Sequence, residues 1–240
     1  MEQLSGGHIA ALIVTAAAGA FALVLAGRLN TTWLVRLSRV LALVILGAYL
    51  AEQGANALRG TWTVERSLPL HLTDAVTLVA VAALWSWGPL VVELTYFWGL
   101  SASLQAVLTP DLDQAFPSIF YFTYFTAHSG AVVAAILLVF GLGMAPRRGA
   151  VGRAYVATAA LAALAAAGDL VTGGNYMFLR EKPSRPSLLD LMGPWPWYIG
   201  AAALLALVLY VLLDLPFGRR RRSPAEPHAP GPRGPDHSLR

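Results

Sequence analysis

Polar and ionisable side chains interrupt several strongly apolar stretches of this sequence. They are Glu52, Gln53, His71, Asp74, Gln105, Tyr121, Tyr124, His128, Asp169 and Asn175. Because an ionisable group in hydrocarbon is costly, such residues tend to pair, to line a cavity, or to do both. We therefore predict that these side chains share one polar pocket near one face of a membrane.

His128 is the leading candidate for acid–base chemistry. It lies deeper in its apolar stretch than the other histidines, and it follows Tyr121 and Tyr124 at spacings of three and four. Residues at these spacings lie on one face of a helix. We predict that His128 acts as a general base.

A second histidine has a carboxylate at helical spacing. His71 and Asp74 are i and i+3 neighbours, so the carboxylate can orient or charge the imidazole. We predict that they form a second acid–base or oxyanion-stabilising pair. The nucleophile would be water or a hydroxyl, such as that of Thr73 or Ser129.

The composition excludes several kinds of chemistry. The chain has no cysteine, which excludes disulfides, thiolate catalysis and cysteine-ligated zinc. Its single lysine, Lys182, lies in a predicted loop, so no helix can offer a Schiff-base lysine. No HExxH-like spacing of metal ligands occurs, and we predict neither a metal nor another cofactor.

The elements that must position these residues are long apolar helices. The chain of 240 residues is 57% hydrophobic and 12% charged, which is typical of an integral membrane protein. Seven stretches approach the length of about 20 residues that spans a bilayer: Ile9–Ala26, Val35–Leu50, Leu70–Trp87, Leu90–Leu108, Ile119–Leu142, Val151–Thr172 and Trp197–Leu215. We predict an all-α, polytopic membrane helix bundle of about seven transmembrane helices, formed by residues 1–218.

The loop charges predict the orientation. With the N-terminus outside and the C-terminus inside, ten basic residues fall on the inner side and five on the outer side. The inner set is Arg28, Arg36, Arg39, Arg147, Arg148, Arg153 and Arg219–Arg222, and the outer set is Arg59, Arg66, Arg180, Lys182 and Arg185. The sequence pI is about 9.7. Basic residues concentrated on the inner side of a membrane account for this value better than a nucleic-acid-binding surface does. The polar pocket would then open outward.

Two further segments lie on the predicted inner side. Residues 219–240 are basic and rich in proline, so we predict a disordered cytoplasmic tail. Glu93 lies at the inner end of its apolar stretch, where we expect it to complement the helix dipole rather than to join the pocket.

Five short segments carry a resemblance to a known family. They are Leu68–His71 (LPLH), Glu93–Leu100 (ELTYFWGL), Leu108–Leu112 (LTPDL), Gly174–Leu179 (GNYMFL) and Leu188–Tyr198 (LLDLMGPWPWY). Together they resemble the YwaF-type bacterial integral membrane proteins. That family is similar, more distantly, to a eukaryotic transmembrane acyltransferase family that acts on ether phospholipids, and the broader group resembles intramembrane hydrolases with a Thr–His pair.

The resemblance implies a lipid-facing polar pocket in a multi-pass protein of the bacterial plasma membrane. His128 matches the position of the catalytic histidine of the family. The segment Pro69–His71 matches the place where the acyltransferases carry a nucleophilic cysteine beside a histidine. Here that neighbour is Leu70, which argues against acyl transfer through a thioester.

Three functions remain open. The first is an enzyme, a lipid acyltransferase or hydrolase, that uses His128. The second is a non-catalytic carrier, binder or accessory protein for a lipid or small solute, which needs no nucleophile. The third, a proton-coupled transporter, would need polar residues that continue to the inner side, and the inner halves of the spans are mostly apolar. The expected partners are membrane lipids.

Overall fold

The computed structural model describes residues 2–183 and 187–220, and these form an all-helical bundle without strands. The main helices are α1 (Gly6–Arg28), α2 (Thr31–Leu58), α3 (Leu72–Ser86), α4 (Pro89–Leu108), α5 (Ile119–Gly141), α6 (Ala150–Thr172) and α7 (Trp197–Arg220). Two short 3₁₀ helices, Tyr176–Phe178 and Leu188–Met192, lie between α6 and α7. The predicted polytopic membrane bundle is confirmed.

Six of the seven helices are long and apolar enough to cross a membrane, and α3 is the shorter one. Its 15 residues span about 23 Å at 1.5 Å per residue, less than the roughly 30 Å of a bilayer core. His71 caps the start of α3, and Trp87 ends it in a left-handed conformation with φ of 55°. Gly88 then precedes Pro89, and the residue before a proline disfavours helical geometry.

The helix starts follow from capping residues. The side chains of Ser5, Asn30 and Ser118 accept backbone hydrogen bonds at the first turns of α1, α2 and α5. Pro89 opens α4, where its missing N–H costs no hydrogen bond. Local sequence therefore sets these ends.

Helices α4 and α5 form the centre of the bundle. In their most apolar windows 56% and 61% of the residues are buried, compared with at most 22% in the other long helices. Close approach depends on missing side chains, because a Cβ on Gly130 of α5 would lie 2.5 Å from Cγ1 of Ile45 on α2. A Cβ on Gly99 of α4 would lie 3.1 Å from the carbonyl oxygen of Ala131.

The main helices alternate in direction, so the bundle has two ends. We call the end at which α1, α3, α5 and α7 begin the upper end, and the opposite end the lower end. Helix α7 continues five residues beyond the predicted span, to Arg220, with Pro216 inside it. The rest of the predicted tail, and Arg185 of the charge count, lie outside the described residues.

Candidate functional site

His128 lies inside the bundle toward the upper end. Its side chain faces the interface of α4 and α5, and the residue is 9% exposed. The ring of Tyr124, one turn earlier on α5, packs edge-on against the imidazole at 4.3 Å between centroids. The Tyr124 hydroxyl donates a 3.0 Å hydrogen bond to the carbonyl of Ala106 on α4. The imidazole is therefore shielded from lipid.

The hydrogen bonds of His128 set it apart from the other two histidines in the described ranges. Its Nδ1 is buried and has no hydrogen-bond partner among the described residues. A buried nitrogen without a partner is unfavourable, and it indicates a place for a ligand, a water or a reacting group.

The other two histidines are bound to the backbone. His8 is buried: its Nδ1 accepts from the Leu4 N–H at 3.0 Å, and its Nε2 lies 2.9 Å from the carbonyl oxygen of Val107. His71 Nδ1 accepts from the Met177 N–H at 3.2 Å. His8 thus ties the start of α1 to the end of α4, and His71 ties α3 to the segment after α6.

Three carboxylates lie at the same upper end, on three different helices. Glu52 of α2 and Asp74 of α3 are close enough for their charges to interact. Asp169 of α6 is 2% exposed; its Oδ1 accepts from the Tyr176 N–H at 2.6 Å. Its Oδ2 has no partner within the described part of the chain.

The predicted pairing of His71 with Asp74 has a different geometry. The Asp74 carboxylate interacts with the backbone N–H of His71 and with the charge of Glu52, whereas the charges nearest the His71 ring are those of Asp169 and Asp111. The His71 ring packs against the rings of Tyr176 and Phe178, with centroids 5.2 and 5.6 Å apart. His71 is thus part of the contact between α3 and the segment that follows α6.

Four other predicted pocket residues direct their side chains to nearby loops or neighbouring helices. Gln53 accepts from Trp62 Nε1 at 3.0 Å, Gln105 donates to Thr109 Oγ1 at 2.7 Å, Tyr121 donates to the Gly7 carbonyl at 2.7 Å, and Asn175 donates to the Glu181 carbonyl at 2.9 Å. The structure does not bring Gln105, Tyr121 or Asn175 next to His128 in any hydrogen bond or ring contact. Their bonds order the upper loops and the α1–α5 contact.

The segment after α6 packs against the loop between α2 and α3. The Tyr176 hydroxyl donates to the Val64 carbonyl at 2.7 Å and accepts from the Leu68 N–H at 3.0 Å, and burial raises the pKa of this phenol. Leu70 packs against Gly168, where a Cβ would lie 2.5 Å from Leu70 Cδ1. Leu70, the neighbour of His71, is therefore held in an apolar contact with α6.

An apolar cavity of about 210 Å³ lies between α6 and α7. Small residues of α6 and α7 form its walls, among them Ala159, Ala162, Ala202 and Ala203, and Met177 and Leu179 border it. Leu72, next to His71, also lines it. Through Leu72 and Met177 the cavity borders the surroundings of His71.

Glu93 lies at the lower end, as expected, but its partners are two arginines. The buried carboxylate accepts from Arg147 Nε at 2.8 Å and from Arg153 Nη2 at 2.9 Å. The Arg147 backbone N–H also donates to it at 3.0 Å. The hydrogen bonds to Glu93 raise the pKa of Arg147. This clamp fixes the α5–α6 connection against α4.

No metal centre is assembled in the described ranges, because no three His, Asp or Glu side chains there converge as ligands.

Sequence reasoning missed several of these features. His8 stood out by no spacing rule, and the Glu93 clamp joins residues 54 and 60 positions apart. The one available signal for the clamp was a carboxylate in an apolar helix together with arginines predicted on the same side.

The fold and this site define a polytopic helical membrane protein with a polar cluster buried near one end of its bundle. A model of the TMEM164 family matches residues 3–214, so the chain belongs to the TMEM164 family, a family of transmembrane proteins. Comparison with curated proteins gave no match, and comparison with solved structures gave none either.

Proposed function

We propose that this protein is a lipid-directed intramembrane enzyme, an acyltransferase or hydrolase in which His128 is the general base. The observation that carries the proposal is the buried His128 Nδ1 without a hydrogen-bond partner in the described ranges. In His8 and His71, Nδ1 accepts a hydrogen bond from a backbone N–H group. Of these three histidines, His128 therefore has the nitrogen that is free to take a proton from a substrate or nucleophile.

One cavity of the bundle suits the acyl chain of an ester-linked lipid. The apolar cavity between α6 and α7 offers a place for an acyl chain, and its border at Leu72 and Met177 adjoins His71. His71 and Asp74 would then assist the reaction from the rim, as an acid–base or oxyanion-stabilising group. We further propose that the protein is of the YwaF type and lies in the bacterial plasma membrane, with the upper end outward.

The test is lipid turnover by the purified protein in vesicles of phosphatidylcholine and phosphatidylethanolamine that contain a lysophospholipid. Mass spectrometry follows acyl exchange and fatty-acid release. Because a general base contributes about 10²–10⁴-fold, His128→Gln should lower the rate by about 100-fold or more. The matched control is His8→Gln, which removes a histidine from a structural contact and should keep the rate per folded molecule. Equal rates in wild type and His128→Gln would refute the proposal.

A second candidate is a non-catalytic lipid carrier or binder. The state of Ser129, a predicted nucleophile, favours this candidate. Its hydroxyl lies 2.6 Å from Thr15 Oγ1 on α1, so it is already engaged in a hydrogen bond. Thr15 itself donates to the Ala11 carbonyl, so Ser129 must donate to Thr15. A binder would retain the same co-purified lipids in wild type and His128→Gln. An enzyme would accumulate uncleaved lipid in the variant alone.

A further inference from the structure

A second buried polar atom near the middle of the α4–α5 interface lacks a partner. The hydroxyl oxygen of Ser103 on α4 is fully buried and has no hydrogen-bond partner within the described residues. In helices a serine hydroxyl ordinarily bonds the carbonyl one turn earlier, as Ser101 does with Phe97. Ser103 departs from that pattern.

Two contacts fix the register of α4 against α5. At one level the Cβ position of Gly99 meets the Ala131 carbonyl oxygen at 3.1 Å and Ala135 Cβ at 3.3 Å. Nearer the upper end, the Tyr124 hydroxyl bonds the Ala106 carbonyl. Because the helices are antiparallel, Ser103 lies between these levels on α4, as His128 does on α5. This register puts the two residues at a similar depth of the same interface, although Ser103 Oγ and His128 Nδ1 are not hydrogen-bonded to each other.

The local backbone of α4 favours this placement. Gly99–Ser103 form a π-helical turn, and single π turns inside α-helices recur at functional sites. Ser103 follows Gly99 by four residues, so the two positions lie on one face of α4, and Gly99 on that face packs against Ala131 and Ala135 of α5.

We propose that Ser103 is the nucleophile of this site and that His128 is its base. This inference rests on the proposed function. It requires the His128 tautomer with its proton on Nε2, so that Nδ1 can accept. The substrate class is an ester-linked glycerolipid.

The reaction balances without a cofactor. Ser103 Oγ forms a bond to the ester carbonyl carbon while its proton passes to His128 Nδ1. The ester C–O bond then breaks, and the leaving alkoxide takes that proton, which gives a lysolipid and an acyl-serine. A water molecule or a second lysolipid next gives its proton to His128, attacks the acyl-serine, and releases Ser103 with its own proton restored.

A covalent probe tests the assignment directly on the full chain in detergent. An alkyl fluorophosphonate reacts with an activated serine: the Oγ–P bond forms, fluoride leaves, and the serine proton passes to the base. We expect one phosphonyl adduct on the peptide that contains Ser103, and labelling slowed about 100-fold in His128→Gln. No adduct, an adduct elsewhere, or equal labelling in His128→Gln would overturn the proposal.

Ser38→Ala is the matched control. Ser38 is also a fully buried serine whose hydroxyl has no partner in the described ranges, but it lies on α2 near the lower end. This variant should be labelled like the wild type, whereas Ser103→Ala should not be labelled. Labelling of Ser103→Ala at the wild-type rate would overturn the assignment.

Measurements of lipid turnover distinguish a failure of the Ser103 assignment from a failure of the proposed enzyme function. Loss of turnover in His128→Gln with full turnover in Ser103→Ala would overturn the nucleophile and leave the proposed enzyme standing. Full turnover in both variants would overturn both. If Ser103→Ala fails to fold, Ser103→Cys replaces it: in a chain without cysteine, N-ethylmaleimide should abolish turnover by this variant alone. If Ser103→Cys keeps its turnover after treatment with N-ethylmaleimide, the assignment of Ser103 as the nucleophile is refuted.

Discussion

The Glu93 clamp allows a quantitative prediction, in which Glu93→Gln removes one charge and keeps the side-chain volume. The carboxylate accepts five hydrogen bonds: three from Arg147, through its backbone N, Nε and Nη2, and two from Arg153, through Nε and Nη2. A glutamine oxygen has two lone pairs, and its amide nitrogen is a donor that faces other donors. We therefore expect about three of the five bonds to be lost.

The loss in the free energy of unfolding depends on how deeply the Glu93 carboxylate and the two arginine side chains are buried. Glu93 is 2% exposed, whereas the side chains of Arg147 and Arg153 are 53% and 37% exposed. Bonds to charged groups contribute about 1.5–3 kcal/mol, but water can replace part of each bond at exposed arginines. We take about 1 kcal/mol for each lost bond, hence a loss of about 3 kcal/mol in the free energy of unfolding. For a chain of this size that lowers Tm by about 6–12 °C.

The assay is thermal unfolding of the detergent-solubilised protein, followed by tryptophan fluorescence and by loss of the monodisperse species. Glu65→Gln is the control, since Glu65 is exposed in the loop between α2 and α3 and its variant should melt like the wild type. A decrease of less than about 2 °C for Glu93→Gln would show that the clamp contributes little, and would refute the reasoning from hydrogen-bond number.

Two further predictions concern packing and the closing segment. Gly130→Ala should lower stability by about 1–3 kcal/mol, because the new Cβ meets the side chain of Ile45 on α2; Gly47→Ala has no atom within 4 Å and should be neutral or stabilising, as a melting comparison will show. Tyr176→Phe removes the partner of two backbone groups, so it should cost about 2 kcal/mol and make the segment after α6 more sensitive to limited proteolysis; unchanged digestion would contradict this.

The same physics explains why the cluster was only partly predictable. His128 and the carboxylates could be found because charge in an apolar helix is costly and therefore conspicuous. Gln105 and Asn175 looked equivalent in the sequence, yet they bond to Thr109 and to the Glu181 carbonyl. Short-range partners of this kind depend on loop conformation, which helical periodicity does not describe.

Ser103 shows the limit of reasoning from the sequence most clearly. Serine is common in membrane helices, and most such hydroxyls bond their own backbone, so neither its type nor its spacing distinguishes it from Ser101. Its significance comes from a π turn and from the register between two helices. That register is fixed by packing of Gly99 against Ala131 and Ala135.

The sequence by itself determined that this chain is a helical membrane bundle, because a long apolar run has to satisfy its backbone internally in lipid. It also determined that polar residues gather toward one end, since the apolar stretches alternate in direction. Only the tertiary structure decided which of the three histidines in the described ranges has an unpartnered buried nitrogen and which arginines bind Glu93. Those outcomes depend on contacts between helices far apart in the chain, at distances of a few ångströms that no local pattern specifies.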